Sequence, residues 1–132
     1  MALRFQFDRN NKILLLRVEG PLTQEVLAKA QVGITSYSKE RDVEGAIFDF
    51  SQVTEFALST AFIQQLARQK PSLPNAANRR RVIVAPAGVG FGLARMFQTT
   101  GESTRPLLAV VRTLKEAFEA FGVHSPHFEP LD

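Results

Sequence analysis

Short apolar segments alternate with segments of helical period along most of the chain, and this alternation constrains the fold more than any other feature of the sequence. Three apolar runs are typical of buried parallel strands: residues 46–50, 81–85 and 107–111. In four other segments the apolar residues recur with the spacing of a helix: residues 24–41, 59–70, 91–97 and 113–122. Because such strands and helices connect through right-handed parallel crossovers, we expect an α/β protein.

The N-terminus has a different pattern. Residues 3–8 alternate between apolar and polar with period two, which is typical of an edge strand with one wet face. Residues 13–18 are more continuously apolar, and the Asp-Arg-Asn-Asn sequence at residues 8–11 favours a turn, so the two segments are predicted to form an antiparallel hairpin. The predicted order is ββαβαβαβα, a mixed, mostly parallel five-stranded sheet with about four helices. Residues 1–122 then form one domain, and residues 123–132 form a docked or loose tail.

Two local signals mark the ends of helices. Thr23 can cap the first helix, which should end near Arg41. Thr113 and Glu116 have the spacing of a capping box at the start of the last helix, and Gly122 can end it.

Length and composition exclude several classes of protein. A chain of 132 residues suits one domain, and a hydrophobic content of 45% excludes disorder. The absence of cysteine excludes disulfides, thiolate metal sites and cysteine nucleophiles. The uninterrupted apolar runs, residues 13–16 among them, are far too short to span a membrane, and Arg4 and Asp8 interrupt any signal-peptide core. We therefore expect a cytoplasmic protein without a transmembrane segment, for which peripheral membrane contact remains open.

Positive charge is concentrated in the middle of the chain. The net charge is only +3, yet the stretch from Phe56 to Gly101 contains six basic residues and no acidic one. Ligands of open parallel sheets bind at the carboxyl ends of the strands, where three predicted loops lie: residues 19–23, 51–59 and 86–92. This end is therefore predicted to favour an anionic ligand or an acidic partner.

The densest basic run is expected to lie elsewhere. Arg79, Arg80 and Arg81 precede a strand, which places them at the opposite, amino end of the sheet as a solvated group that does not belong to the site. Since no aromatic platform is interleaved with them and no nucleic-acid-binding signature is present, nucleic acid is not an expected partner.

The element order, the length and the sequence Asp-Phe-Ser-Gln-Val-Thr-Glu-Phe-Ala-Leu-Ser-Thr at residues 49–60 resemble the STAS domain, in particular its bacterial SpoIIAA-like (STAS/SEC14-type) branch. The sequence Gly-Leu-Ala-Arg-Met-Phe at residues 92–97 is also similar to that branch. The resemblance covers about residues 3–122 and implies the STAS fold and a regulatory, protein-binding role. Its SEC14-like side implies an apolar or lipid-like ligand between helices and sheet.

The resemblance also assigns individual positions. Anti-sigma-factor antagonists of the STAS family carry Asp-Leu-Ser at a strand end and then Asp-Ser-Ser-Gly, whose first serine accepts phosphate. Asp49 and Ser51 match the strand end, but the quartet at residues 57–60 reads Ala-Leu-Ser-Thr and keeps only the second serine. Ser59 is therefore the candidate phosphoacceptor, although we favour a helix cap as its role. A second acidic loop position of the family falls on Thr23.

The remaining candidates come from the residues themselves. Gly88, Gly90 and Gly92 open a helix where backbone N–H groups can hold an anion, with a tight turn as the alternative. Asp49 could act as a general base or magnesium ligand, but a lone carboxylate more often fixes a loop. The predicted ligand- or partner-binding residues are Thr23, Asp49, Ser51, Thr60, Gly88, Gly90, Gly92 and Arg95.

Three functional hypotheses follow. The first is a non-catalytic regulatory module with a protein partner, and the second is a binder or sensor of a small anionic, amphipathic ligand held partly by Phe56, Phe91 and Phe97. The third is a nucleotide-binding protein or weak enzyme. No catalytic residue, cofactor or metal site can be assigned, since His124 and His127 lie in the tail and are interpreted as solvated. A homodimer formed through the hairpin edge or the last helix is compatible with the pattern.

Overall fold

The computed structural model describes residues 3–69, 79–86 and 88–131, and in these residues one mixed sheet carries helices on both faces. The elements in chain order are β1 (Leu3–Asp8), β2 (Ile13–Leu22), α1 (Gln24–Glu40), β3 (Gly45–Phe56), α2 (Thr60–Arg68), β4 (Arg80–Val84), α3 (Val89–Thr100), β5 (Leu108–Val111), α4 (Leu114–Phe121) and β6 (Glu129–Leu131). The spatial order of the strands is β5-β4-β3-β2-β1-β6. Strands β2 to β5 run parallel, whereas β1 is antiparallel to both of its neighbours.

The central strands are buried on both faces, which explains their continuous apolar sequence. Ile13 and Leu15 of β2 pack with Ala117 of α4 on one face of the sheet. Leu16 and Val18 of the same strand pack with Ala30 of α1 on the other face. Because side chains alternate between faces along a strand, Phe48 and Phe50 of β3 lie on the same face as Leu16 and Val18.

The sheet has six described strands instead of the predicted five. Residues 129–131, predicted to belong to the tail, form β6 and pair with β1, so β1 is not the edge strand that its alternation suggested. No sequence pattern predicts β6, because it has only three residues and contains a proline, which is tolerated at a sheet edge.

Two predicted loops are also extensions of strands. β2 continues to Leu22 and β3 to Phe56, and the two stay paired beyond the main sheet through register shifts near Gly20. Gly20 has φ +82°, a conformation that glycine adopts at no steric cost, so the Gly-Pro sequence bends β2 without ending it. The N–H of Ala57 then donates to the carbonyl of Leu22 at 2.9 Å, which places the starts of α1 and α2 side by side.

The predicted helix signals are confirmed. The Thr113 hydroxyl accepts the N–H of Glu116 at 3.1 Å, and the Glu116 carboxylate accepts the N–H of Thr113 at 3.1 Å, completing the capping box. Gly122 ends α4 in the left-handed conformation, at φ 69°. In the described part of the chain no helix combines the length and the apolarity that a membrane crossing requires.

The carboxylate of Asp8 joins the hairpin turn to the C-terminal segment. It is 1% exposed and accepts N–H groups from Asn10 at 3.0 Å and Asn11 at 3.2 Å, the Asn11 side-chain amide at 2.8 Å and the His127 N–H at 3.2 Å. Burial by itself raises the pKa of Asp8, but these hydrogen bonds outweigh it and hold the pKa below its ordinary value.

We expect Asp8→Asn to lower the free energy of unfolding by about 1–3 kcal/mol in urea titrations, because an amide cannot accept all four donors. Asp42→Asn is the control: its exposed carboxylate pairs with Lys12 at 2.9 Å, and its loss should cost less. Since the folded-state pKa of Asp8 lies below the unfolded one, its contribution is complete above about pH 4 and is lost as the pH falls through the folded-state pKa. Equal losses for the two variants would contradict this role.

Candidate functional site

A mostly apolar cavity of about 250 Å³ lies between α1 and the α2–α3 pair, with the sheet as its floor. The cavity exists because α2 packs against α3, whereas α1 packs against β1 and β2, so that a gap is left between the two groups of helices. Each helix contributes apolar side chains to the walls: Leu27, Ala30 and Ile34 from α1, Ile63 and Leu66 from α2, and Leu93, Ala94 and Phe97 from α3.

Aromatic side chains form much of the floor. Phe48, Phe50 and Phe56 of β3 all line the cavity. Of the three phenylalanines that the sequence placed near a ligand, Phe56 and Phe97 line it. Phe91 instead lies under the guanidinium of Arg112, which is 4.6 Å from the ring centroid.

Two arginines, Arg81 and Arg105, interrupt the apolar lining at one end. Arg81 lies on β4 between Ala46 of β3 and Leu108 of β5, both of which are buried. Residues paired in this way share a face of the sheet, so the Arg81 side chain occupies a position on the covered face where an apolar residue is the rule. Arg105 ends the connection from α3 to β5 and is only 8% exposed.

The described contacts of the Arg105 guanidinium are with uncharged groups. Its Nη1 donates to the carbonyl of Ala67 at 3.0 Å and to the hydroxyl of Thr104 at 3.2 Å, and the group lies 4.9 Å from the centroid of the Phe97 ring. None of the ion pairs among residues 3–69, 79–86 and 88–131 includes Arg105. Burial lowers the pKa of this guanidinium.

Arg81 adds a second charge beside the first. Burial, and after it the charges of Arg105 and Arg79, lowers the pKa of Arg81 to about 10. An arginine guanidinium keeps its charge at neutral pH, and here Arg105 is buried and Arg81 partly buried. Two like charges at a poorly solvated end of a cavity produce a positive potential, and an anion bound there would relieve it.

Arg81, which the sequence predicts to be solvated together with Arg79 and Arg80, instead lines the cavity. The run is at the amino end of the sheet as expected, and Arg80 is exposed. The cavity, however, extends to that end. Arg81 is two residues from the cavity-lining Ile83, so strand alternation could have placed both on one face, whereas no pattern in the sequence marks Arg105.

Among the eight predicted binding residues, Gly90 alone lines the cavity. Asp49, which is 4% exposed, lies on the opposite face of the sheet, the face of Ile47 and α4. Its Oδ2 is 3.6 Å from Nε of Arg17, and its Oδ1 accepts the Ser51 N–H at 3.0 Å. These contacts are those of a carboxylate that fixes a loop.

The other predicted residues are spread over the carboxyl end of the sheet. The hydroxyls of Thr23 and Ser59 cap α1 and α2, accepting N–H groups at 3.2 Å and 3.1 Å, and Thr60 begins α2 as an exposed residue. Gly88 and Gly92 are exposed at the start of α3, and Arg95 donates to the side chain of Gln98 at 3.1 Å. In the described residues, no group of three potential ligands could hold a metal ion.

Two solved structures share this architecture over nearly the whole chain. The anti-sigma factor antagonist SpoIIAA in its unphosphorylated form gives a TM-score of 0.57 at 13% identity, covering 94% of this chain and 100% of its own. The Bacillus cell fate determinant SpoIIAA in the phosphorylated form gives 0.56 at 18% identity, covering 89% and 97%. No family model matches the chain, and no curated protein sequence does. The likeness confirms the STAS/SpoIIAA-like fold that the sequence predicts.

The cap of α2 can be tested directly. We expect Ser59→Ala to lower the free energy of unfolding by about 1 kcal/mol, because the N–H of Phe62 loses its acceptor. Ser59→Asp should retain nearly the full stability, since aspartate is an equally good cap and its charge suits a helix N-terminus. Urea unfolding of the three proteins measures both effects, and an unchanged stability in Ser59→Ala would show that the hydroxyl does not cap the helix.

Proposed function

We propose that this domain is a non-catalytic module that binds a small amphipathic anion in the cavity. The observation that carries the proposal is the placement of two guanidiniums, that of the partly buried Arg81 and that of the buried Arg105, at one end of a mostly apolar space. An apolar tail would occupy the part lined by phenylalanine and leucine, and an anionic head would lie beside the two charges.

The energetics favour such a ligand over a purely apolar one. Burying an alkyl tail contributes about 0.8 kcal/mol for each methylene group removed from water. A carboxylate or phosphate would add hydrogen bonds to charged donors, each worth about 1.5–3 kcal/mol. The volume lies just below the range typical of drug-sized ligands, which favours a single-chain amphiphile over a two-chain lipid.

Four probes that share a twelve-carbon tail test the head group: dodecanoate, dodecyl phosphate, dodecanol and dodecyltrimethylammonium. Titration calorimetry below the micelle concentrations should show that at least one anion binds about tenfold more tightly than the alcohol, and that the cation binds least. A preference between carboxylate and phosphate would identify the head group. Equal binding of all four probes, or none, would contradict the proposal.

The Arg81→Met variant tests whether the charge of Arg81 contributes to anion binding. Arg80→Met is the matched control on the adjacent, exposed residue. Both variants lose one positive charge, but only the first changes the cavity. We expect Arg81→Met to weaken anion binding by about tenfold or more while Arg80→Met binds as the parent does. If the two variants bind equally, general surface charge is responsible and the cavity assignment is wrong.

A protein partner at the carboxyl end is the second candidate function, and it is compatible with a ligand in the cavity. Its support is the hydrogen bond from Ala57 to Leu22, which joins the segments that lead into Ser59 and Thr23, together with the likeness to a SpoIIAA that is known in phosphorylated and unphosphorylated forms. Phosphate on Ser59 would add negative charge at the start of α2, where no acidic residue lies in the first turn.

Quantitative affinity capture with the parent protein and Ser59→Asp tests this surface. We expect a partner retained by the parent protein to be depleted or enriched with the variant, because the added charge changes the surface without unfolding α2. Arg80→Met, which removes an exposed charge at the opposite, amino end of the sheet, serves as the control. Identical capture by all three proteins would count against a phosphoacceptor role for Ser59.

A further inference from the structure

The apolar part of the cavity contains a close contact between Phe56 and Gly90. Both residues line the cavity, Phe56 at the end of β3 and Gly90 in the first turn of α3. A Cβ atom on Gly90 would overlap the ring of Phe56, so the ring lies where only a glycine leaves room for it.

This contact and the two arginines are at opposite ends of the sheet. Arg81 pairs with Ala46 near the start of β3, whereas Phe56 is the last residue of that strand, where it pairs with Leu22. A ligand whose head lies at Arg81 therefore directs its tail along the strands and toward Phe56.

We propose that the Phe56–Gly90 contact sets the longest tail that the cavity accepts, with the anionic head of the ligand held at Arg81 and Arg105. This inference rests on the proposed function. It adds the orientation of the ligand and names the residues that determine chain-length specificity.

Packing around the ring determines which way each substitution acts. Phe56 also packs in the apolar cluster that contains Leu22 and Leu58, and all three side chains line the cavity. Since packed side chains yield little space, a methyl group on Gly90 and the ring that it displaces take up room at this end of the cavity and shorten it. Removing the ring in Phe56→Ala leaves an apolar void that lengthens the cavity at the same end.

The experiment compares octanoate, dodecanoate and hexadecanoate, titrated calorimetrically below their micelle concentrations, against the parent protein, Gly90→Ala and Phe56→Ala. Gly92→Ala is the matched control, because it adds the same methyl group two residues later on α3, at an exposed position with no atom within 4 Å of the new Cβ. We expect Gly90→Ala to shift the ratio of affinities toward the shorter acid by about tenfold and Phe56→Ala to shift it toward the longer one. Gly92→Ala should keep the parental ratio.

The outcomes separate this inference from the proposed function. If the parent protein binds none of the three acids nor dodecyl phosphate, the proposed function itself fails. If the parent binds but Gly90→Ala and Phe56→Ala keep its chain-length ratio, the specificity assignment is overturned while the proposed function stands. Circular dichroism verifies that each variant is folded, and Phe56→Leu replaces Phe56→Ala if the larger deletion unfolds the domain. An equal shift in Gly92→Ala would also overturn the assignment, since it would place the tail at the glycine-containing turn.

Discussion

The parallel pairing of β2 with β3 determines where the rest of the domain can lie. It runs from Ile13 opposite Gly45 to Leu22 opposite Phe56, beyond the part of the sheet that β4 and β5 share. This extension brings the starts of α1 and α2 together through the hydrogen bond between Ala57 and Leu22. Because α1 then packs toward β1 and β2 while α2 packs on α3, the helices diverge over the floor of β3 and leave the cavity between them.

The cost of withdrawing the Arg105 charge and part of the Arg81 charge from water is the feature of this fold that most needs a functional explanation. Arg81 stands in a row of the sheet between buried Ala46 and Leu108, where an aliphatic side chain would pack without desolvating a guanidinium. The lowered pKa values of Arg81 and Arg105 express that cost, since both reflect burial of the charged form. Buried charges retained in a cavity are a recognised sign of a functional site, and a bound anion would offset the cost.

Sequence patterns predicted the architecture well because they report local physics. Continuous apolar runs identified the central strands, and the capping box at Thr113 identified the start of α4. β6 cannot be predicted, because three residues are too few to show the period of a strand. Without β6, β1 has the pattern of an edge strand. The extensions of β2 and β3 could not be predicted, because a Gly-Pro sequence such as Gly20-Pro21 normally ends a strand. In the folded pair, register shifts accommodate these two residues.

The site was harder to predict than the fold, for a physical reason. A general rule places ligands at the carboxyl ends of strands, and it predicts a site at Asp49, Ser59 and the turn from Gly88 to Gly92. The cavity instead runs along the strands under the helices, so one end reaches Gly90 and the other reaches Arg81. Strand alternation contains the information that Arg81 faces inward, but the approach of Arg105 depends on the tertiary path between α3 and β5.

In the proposed complex an anionic amphiphile lies in the cavity with its head at Arg81 and Arg105 and its tail at Phe56. A crystal structure with 12-bromododecanoate tests it most directly, because the anomalous signal of bromine locates the end of the tail independently of the carboxylate. We expect carboxylate density within hydrogen-bonding distance of both guanidiniums and the bromine peak beside the Phe56 ring. A carboxylate at the turn formed by residues 88–92, or a bromine peak at the arginines, would contradict the account.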